Sequence, residues 1–220
     1  MLLDRITEVL DPEPHDAALN MAIDEVLLTG ATTPILRLYG WARPALSFGY
    51  FVRFAEVERE ACRRDLVRRW TGGGVVLHGG DLTYTLIVPR AHPFFHIPAR
   101  ESYLRIHRSL AELLTSWEEK VTLTESAAPK ISESCFANPA EADLLVGEQK
   151  IAGAAQRRTS SGLLHQGSIQ NMDLPEETVR RFASAFSPDT SRRELTAAEL
   201  AAARELREEK YGSSNWLHRF

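Results

Sequence analysis

Cys135 and Lys150 stand fifteen positions apart and offer a thiol and an ammonium, a pair that could support nucleophilic chemistry at sulfur. Only the thiolate of a cysteine attacks, and a free thiol has a pKa of ~8.5. A neighbouring ammonium raises the thiolate fraction at neutral pH. The same cation can hold the oxyanion that forms at an attacked carbonyl. Cys135 sits in "SESCFANPAE", a stretch without periodicity, and Lys150 opens "KIAGAAQRR" just after the tight turn "GEQ". Position alone favours a solvated surface lysine. Asp143, in "ADLLV", either faces solvent or pairs with Lys150 across the turn. Cys62 lies in the charged "FAEVEREACRRD" and reads as a packing or surface thiol.

The second feature is "RRWTGGGVVLHGGDLTYTL", residues 68–86, with three glycines in a row and two more beyond. It is not a P-loop, which needs GxxxxGK[ST]. Nor is it a dinucleotide fingerprint, which needs GxGxxG between a strand and a helix. Here the glycines join two strand-like runs. One reading is a glycine-rich hairpin. The other is a backbone that lies against an extended ligand, which a Cβ would block. His78 is then either a hydrogen-bonded structural histidine or part of the ligand cavity.

Positioning these residues falls to a mixture of helices and strands. "DAALNMAIDEVLL" has helical spacing with Asp16 placed to cap it, and "ESYLRIHRSLAELLTSW" is a second long helix. "ILRLYGW", "ALSFGYF", "LVRRW", "GVVLH", "LTYTLIV", "ADLLV", "KIAGAAQRR" and "LLHQGSI" read as strands. "FAEVEREACRRD" reads as a short helix. The chain after "LLHQGSI" reads as helical, with Thr196 and Glu199 forming a capping box. The pattern is α+β rather than regular βαβ alternation.

Composition narrows the setting. The chain has 220 residues, 44% hydrophobic and 25% charged, as soluble domains do, and is expected to form one domain over residues 1–220. A net charge of −4 argues against nucleic acid as the main partner. The two cysteines form no CxxC, and the seven histidines show no metal-ligand spacing, so no metal is expected and a reducing cytoplasm fits. The opening "MLLDRITEVLDPEP" has acidic residues and no long apolar core, so it reads as no signal peptide. No stretch approaches the ~18 apolar residues of a membrane span.

Four stretches, in order, resemble the lipoate–protein ligase and octanoyltransferase superfamily, whose catalytic domain is shared with biotin ligases. "RRWTGGGVVLHGGDLTYTL" resembles its RRxTGGGxVxHxGDLxYS signature. "ALNMAIDEVLL" with "RLYGWARPALSFGYF" resembles its N-terminal helix and first hairpin. "GEQKIAGAAQRR…LLHQGSI" resembles GxKIxGxAQxR…HGS, and "KYGSSNWLHRF" resembles its KYxxxxW tail. The resemblance implies an α+β catalytic domain with a mixed sheet flanked by helices. It implies a cavity for a medium-length acyl chain beside Arg69, Gly72, Gly73, Gly74 and His78, with Lys150 as the shared functional lysine. Asp143, Gly153 and His165 complete the implied binding set. "CFANPAEADLLVGEQKIAG" is similar to the octanoyltransferase branch that is ligase-like in sequence, where the cysteine carries the acyl group as a thioester. One departure stands out. The family more often has histidine directly before "GS", whereas this chain has "LHQGS". A shift of one residue on a strand turns a side chain to the opposite face.

The leading expectation is therefore an octanoyltransferase without cofactor. It would move an octanoyl group from acyl carrier protein to Cys135, then to a lysine of a lipoyl domain. Such domains belong to 2-oxoacid dehydrogenases and to the glycine cleavage H protein. The alternative is an ATP- and magnesium-dependent lipoate–protein ligase catalytic domain that needs a separate accessory domain. A non-catalytic acyl- or carrier-binding module is the third reading, disfavoured by the presence of both Cys135 and Lys150.

Overall fold

The computed structural model describes residues 2–116, 121–124 and 140–220. In chain order its elements are β1 (Arg5–Leu10), α1 (Ala17–Gly30), β2 (Ile35–Tyr39), β3 (Ala45–Phe48), β4 (Asp65–Arg68), β5 (Val75–His78), β6 (Leu82–Pro89), α2 (Ala99–Thr115), β7 (Val121–Leu123), β8 (Leu144–Val146), β9 (Gln149–Arg158), β10 (Gly162–Ile169), α3 (Glu176–Arg180), β11 (Asp189–Glu194), α4 (Ala197–Leu206) and α5 (Ser214–Leu217). The large sheet runs β11-β1-β2-β6-β10-β9-β8-β7, and a smaller one runs β4-β3-β5. In the large sheet β1 is parallel to both neighbours, and the pairs from β2 to β7 are antiparallel.

Alternation along the central strands sends side chains to two cores. Tyr84, Leu86 and Val88 of β6 and Leu163 of β10 join Ile106, Leu110 and Leu114 of α2, with Phe182 and Phe186, on one face. Ile87 and Leu164 point the other way, against Met21, Ile23, Leu27 and Leu28 of α1, with Tyr211 and Trp216. The four-residue spacing from Ile106 to Leu110 to Leu114 is what gives α2 one apolar stripe. Asp16 caps α1 by accepting from Leu19 N at 2.9 Å. The capping box of Thr196 and Glu199 opens α4. The result is the expected α+β architecture, a mixed sheet with helices on both faces. No helix among the described residues is long and apolar enough to cross a membrane.

Several local expectations are corrected. β2 and β3 form no hairpin: β2 enters the large sheet and β3 the small one. The glycine run is not a hairpin either. β4 is parallel to β3 and β5 antiparallel to it, so residues 69–74 cross over the end of β3. The segment around Cys62 is two 3-10 turns, Phe54–Glu56 and Glu58–Cys62, rather than one helix. The region after β10 is not wholly helical. It contributes β11, which pairs along the full length of β1. "DTSRRE" is almost entirely exposed and has no apolar alternation, so its strand state comes from the partner edge rather than its own pattern.

Candidate active site

A cavity of about 250 Å³ lies between the two sheets, with walls from α1, β2, β3, β5, β9, β10 and the glycine crossover. Ligand sites of drug-sized molecules run ~300–1,000 Å³, so this one suits a slender ligand.

One wall is built around Lys150. Its Nζ lies 2.6 Å from Asp143 Oδ2, with the two side chains 5% and 1% exposed. Burying a charge requires a partner and further hydrogen bonds. Asp143 has them: Tyr103 of α2 donates to Oδ1 at 2.6 Å, and Ala140 N donates to Oδ2 at 2.6 Å. Burial, then the nearby Asp143 charge, raises the Tyr103 phenol well above its ordinary range, so it stays a donor. Ala154 N in turn donates to the Tyr103 oxygen at 3.0 Å. Behind this wall His107 donates from Nδ1 to Ala142 O at 2.6 Å, and burial pushes its pKa down to about 4. Gly153 completes the arrangement. A Cβ there would stand 2.7 Å from both Cε and Nζ of Lys150, so only glycine leaves the lysine its place.

The opposite wall is the glycine crossover. Arg69 donates from Nη1 to the carbonyl and hydroxyl of Ser47, each at 2.7 Å. From Nη2 it reaches Gly72 O at 3.1 Å and Gly74 O at 2.9 Å. Gly73 sits at φ +84°, a conformation that side chains resist. The crossover lies directly on Gly49, whose Cβ would fall 1.8 Å from Gly73 O. His78 is fixed from both ring nitrogens: Nδ1 lies 2.7 Å from Asp81 Oδ2 and Nε2 lies 2.6 Å from Ser47 Oγ. Trp41 stacks on its ring at 4.0 Å. Burial works to raise Asp81, but hydrogen bonds from His78, Ser168 and Thr83 outweigh it and hold the carboxyl at about 2. An ionised Asp81 accepts the Nδ1 proton of His78. Burial lowers the pKa of His78, which keeps the ring neutral and leaves Nε2 to accept from the Ser47 hydroxyl.

The floor is Gln166 of β10. Its Oε1 accepts from the Thr71 hydroxyl at 2.8 Å, and its Nε2 donates to Asp24 Oδ2 at 2.7 Å. Asp24 also takes Thr85 at 2.7 Å and the fully buried Arg37 at 2.7 Å. Thr71 precedes the glycines, so this network ties the floor to the glycine wall.

Of the residues predicted from sequence, Arg69, Gly73, Gly74, His78, Asp143, Lys150 and Gly153 all line the one cavity. Asp143 pairs with Lys150 rather than facing solvent. Gly72 contributes a carbonyl to Arg69 but does not line the cavity. Cys135 lies outside the described residues. His165 is the correction: it is wholly buried on the other face of β10, 3.1 Å from Tyr84 OH and 3.0 Å from Gln156 Nε2. Burial pushes its pKa well below the ordinary value. Neighbouring positions on a strand face opposite ways, and here Gln166 takes the cavity side. Sequence reasoning missed Ser47, Trp41, Tyr103 and Asp24 altogether. Asp81 sat in the quoted "HGGD" and could have been paired with His78 three residues before it.

Residues 16–209 match the family model for the lipoyl protein ligase A/B catalytic domain. The chain is 36% identical over 195 residues to an octanoyltransferase LipM of Moorella thermoacetica, covering 79% of this chain and 71% of that protein. It is 32% identical to the octanoyltransferase LipM of Carboxydothermus hydrogenoformans, covering 96% and 98% of the two chains. Among solved structures, the T. acidophilum protein Ta0514 with bound lipoic acid superposes with a TM-score of 0.78 at 21% identity, covering both chains completely. A lipoate-protein ligase A bound with ATP gives a TM-score of 0.75 at 20% identity, covering 99% of each chain. The chain belongs to the lipoyl protein ligase A/B catalytic-domain family.

Proposed function

We propose that this enzyme is an octanoyltransferase of lipoate biosynthesis. The observation that carries the reading is the buried Lys150–Asp143 pair on the wall of a narrow cavity, in a chain similar along most of its length to octanoyltransferases named LipM. The acyl chain lies in the cavity with its carbonyl toward Lys150. The Cys135 thiolate attacks the carbonyl of an octanoyl thioester carried by acyl carrier protein. The carrier thiolate leaves, takes a proton and departs, and the octanoyl group remains on sulfur. A lysine ε-amine of a lipoyl domain then attacks the new thioester. An amide forms, the Cys135–acyl bond breaks, and the amine's surplus proton passes to the thiolate or to solvent. Lys150 donates to the oxyanion of both tetrahedral intermediates, and Asp143, held by Tyr103, keeps its ammonium aimed. The donor is already a thioester, so neither ATP nor magnesium is consumed. Residues 1–220 act as one catalytic unit in the cytoplasm.

The test is incubation of the full chain with octanoyl-acyl carrier protein and an apo lipoyl domain, with and without ATP. Transfer at equal rates in both is the expected result. An absolute need for ATP would assign the cavity to a ligase.

A further inference from the structure

Outside the cavity, Phe51 is 73% exposed, the most exposed large apolar side chain among the described residues. It stands at the tip of the turn after β3, closed by Val52 N donating to Gly49 O at 3.1 Å. The backbone on either side of it is held from beneath by one buried arginine. Arg68 donates from Nη1 to Tyr50 O at 2.8 Å and to Val52 O at 2.6 Å. Its other nitrogens reach Trp216 O at 3.0 Å and Leu217 O at 2.8 Å, which anchors the turn to the C-terminal segment. An aromatic side chain on a fixed backbone has few rotamers to lose when a partner covers it, which is the property of an interface anchor.

The surroundings give the partner's character. The side chains of residues 49–54 and 216–220 include two arginines, Arg53 and Arg219, and no carboxylate, although the chain as a whole has a net charge of −4. Both arginines are exposed. Arg219 lies 5.3 Å from the ring of Tyr50, and Arg157 lies 4.8 Å from the same ring. The patch is continuous with the cavity wall. Gly49 N donates to Gly74 O at 3.0 Å, and Tyr50 N donates to Thr71 O at 2.9 Å.

We infer that Phe51, Arg53 and Arg219 form the docking surface for an acidic carrier protein that brings the acyl chain to the cavity as a thioester on a flexible arm. The inference rests on the octanoyltransferase reading. The positive rim attracts the carrier, Phe51 enters an apolar depression on it, and the arm passes the glycine crossover into the cavity. Arginine and aromatic side chains at such a rim set both on-rate and anchoring.

Binding and turnover test this separately. Octanoyl-acyl carrier protein is titrated onto the wild-type chain, Phe51→Ala and Arg219→Glu, and transfer rates are measured with that donor and with octanoyl-pantetheine. Phe51→Ala should weaken carrier binding by about tenfold or more. Arg219→Glu should weaken it and flatten its salt dependence. Both variants should use octanoyl-pantetheine as the wild type does. Unchanged carrier affinity would overturn the inference. So would equal losses with both donors, which would place the defect in the cavity. A loss that follows the apo lipoyl domain instead would assign the patch to the acceptor, also against it. If wild type transfers from neither donor, the transferase reading fails and the titration alone decides the docking surface.

Discussion

Two aspartates pair with a basic side chain on opposite walls of one cavity, and they are built differently. On the glycine wall Asp81 is bound by His78, Ser168 and Thr83 and by Gly79 N, and His78 passes the chain on to Ser47 and Arg69. From Arg69 the chain ends on the crossover carbonyls of Gly72 and Gly74, and Ser168 and Thr83 tie Asp81 to β10 and β6, so this pair fixes a shape. On the other wall Asp143 is fixed by α2 and by Ala140 N, and it holds a lysine against the cavity beside a glycine that makes room for it. In the proposed mechanism that pair positions a donor. Similar residue types would then serve as scaffold on one side and as chemistry on the other, and what separates them is where the hydrogen-bond chain ends.

Breaking the second pair should cost most. Lys150→Ala removes the proposed oxyanion donor and is expected to cut transfer by about 10²–10³. It also strands a buried carboxylate, so unfolding should become easier by about 3–5 kcal/mol. His78→Asn should instead lose stability and acyl affinity together while its residual turnover falls less. Transfer kinetics beside urea unfolding separate the two, and equal kinetic losses would erase the distinction drawn here.

The support behind the lysine wall has a pH signature. His107 is held at about 4 in the folded chain against an ordinary 6.5. The unfolded chain binds the extra proton between those values, so stability is full above pH 6.5 and falls as pH drops toward 4. His107's share is about 3 kcal/mol. The urea midpoint followed over that range should decline in the wild type and decline less in His107→Gln. A parallel decline would show that His107 contributes nothing.

Gly153→Ala tests positioning without removing any functional group. Its methyl must displace Lys150, and an error of that size costs up to about 10²-fold in rate. The variant should stay folded and keep its acyl affinity. Wild-type turnover would mean that Lys150's place is not critical. The smallest effect falls on the scaffold pair. Asp81 is held at about 2 against an ordinary 3.8, so its stabilisation is present above pH 3.8 and is lost as pH falls toward 2. It amounts to about 2 kcal/mol. Asp81→Asn should flatten the acid limb in that window, read from the same unfolding curves.

The sequence disclosed this site unevenly, for physical reasons. The cavity residues cluster in two short motifs that resemble the family's signatures, and it was that resemblance, not composition or position, that placed Arg69, Gly73, Gly74, His78, Lys150 and Gly153 without coordinates. The swap in "LHQGS" was legible as a change of face, and β10 does turn Gln166 to the cavity and His165 to the α2 side. Tyr103 was not legible. It reaches Asp143 from the interior of α2, forty positions away, and only tertiary packing brings them together. Asp24 and Arg37 read as ordinary charges on a helix and a strand until burial makes them partners. β11 escaped because it is an edge strand whose parallel pairing is specified by its neighbour β1, and it is almost wholly exposed.

The central claim is transfer through a thioester on Cys135 without ATP. Its most direct test is the intact mass of the full chain after brief exposure to octanoyl-acyl carrier protein alone, with no acceptor and no ATP. The wild type and Cys62→Ala should each gain one octanoyl group that hydroxylamine removes, and that an added apo lipoyl domain takes up. Cys135→Ala should gain none and transfer none. An adduct that persists in Cys135→Ala, or a wild type that transfers without ever carrying one, would contradict the account.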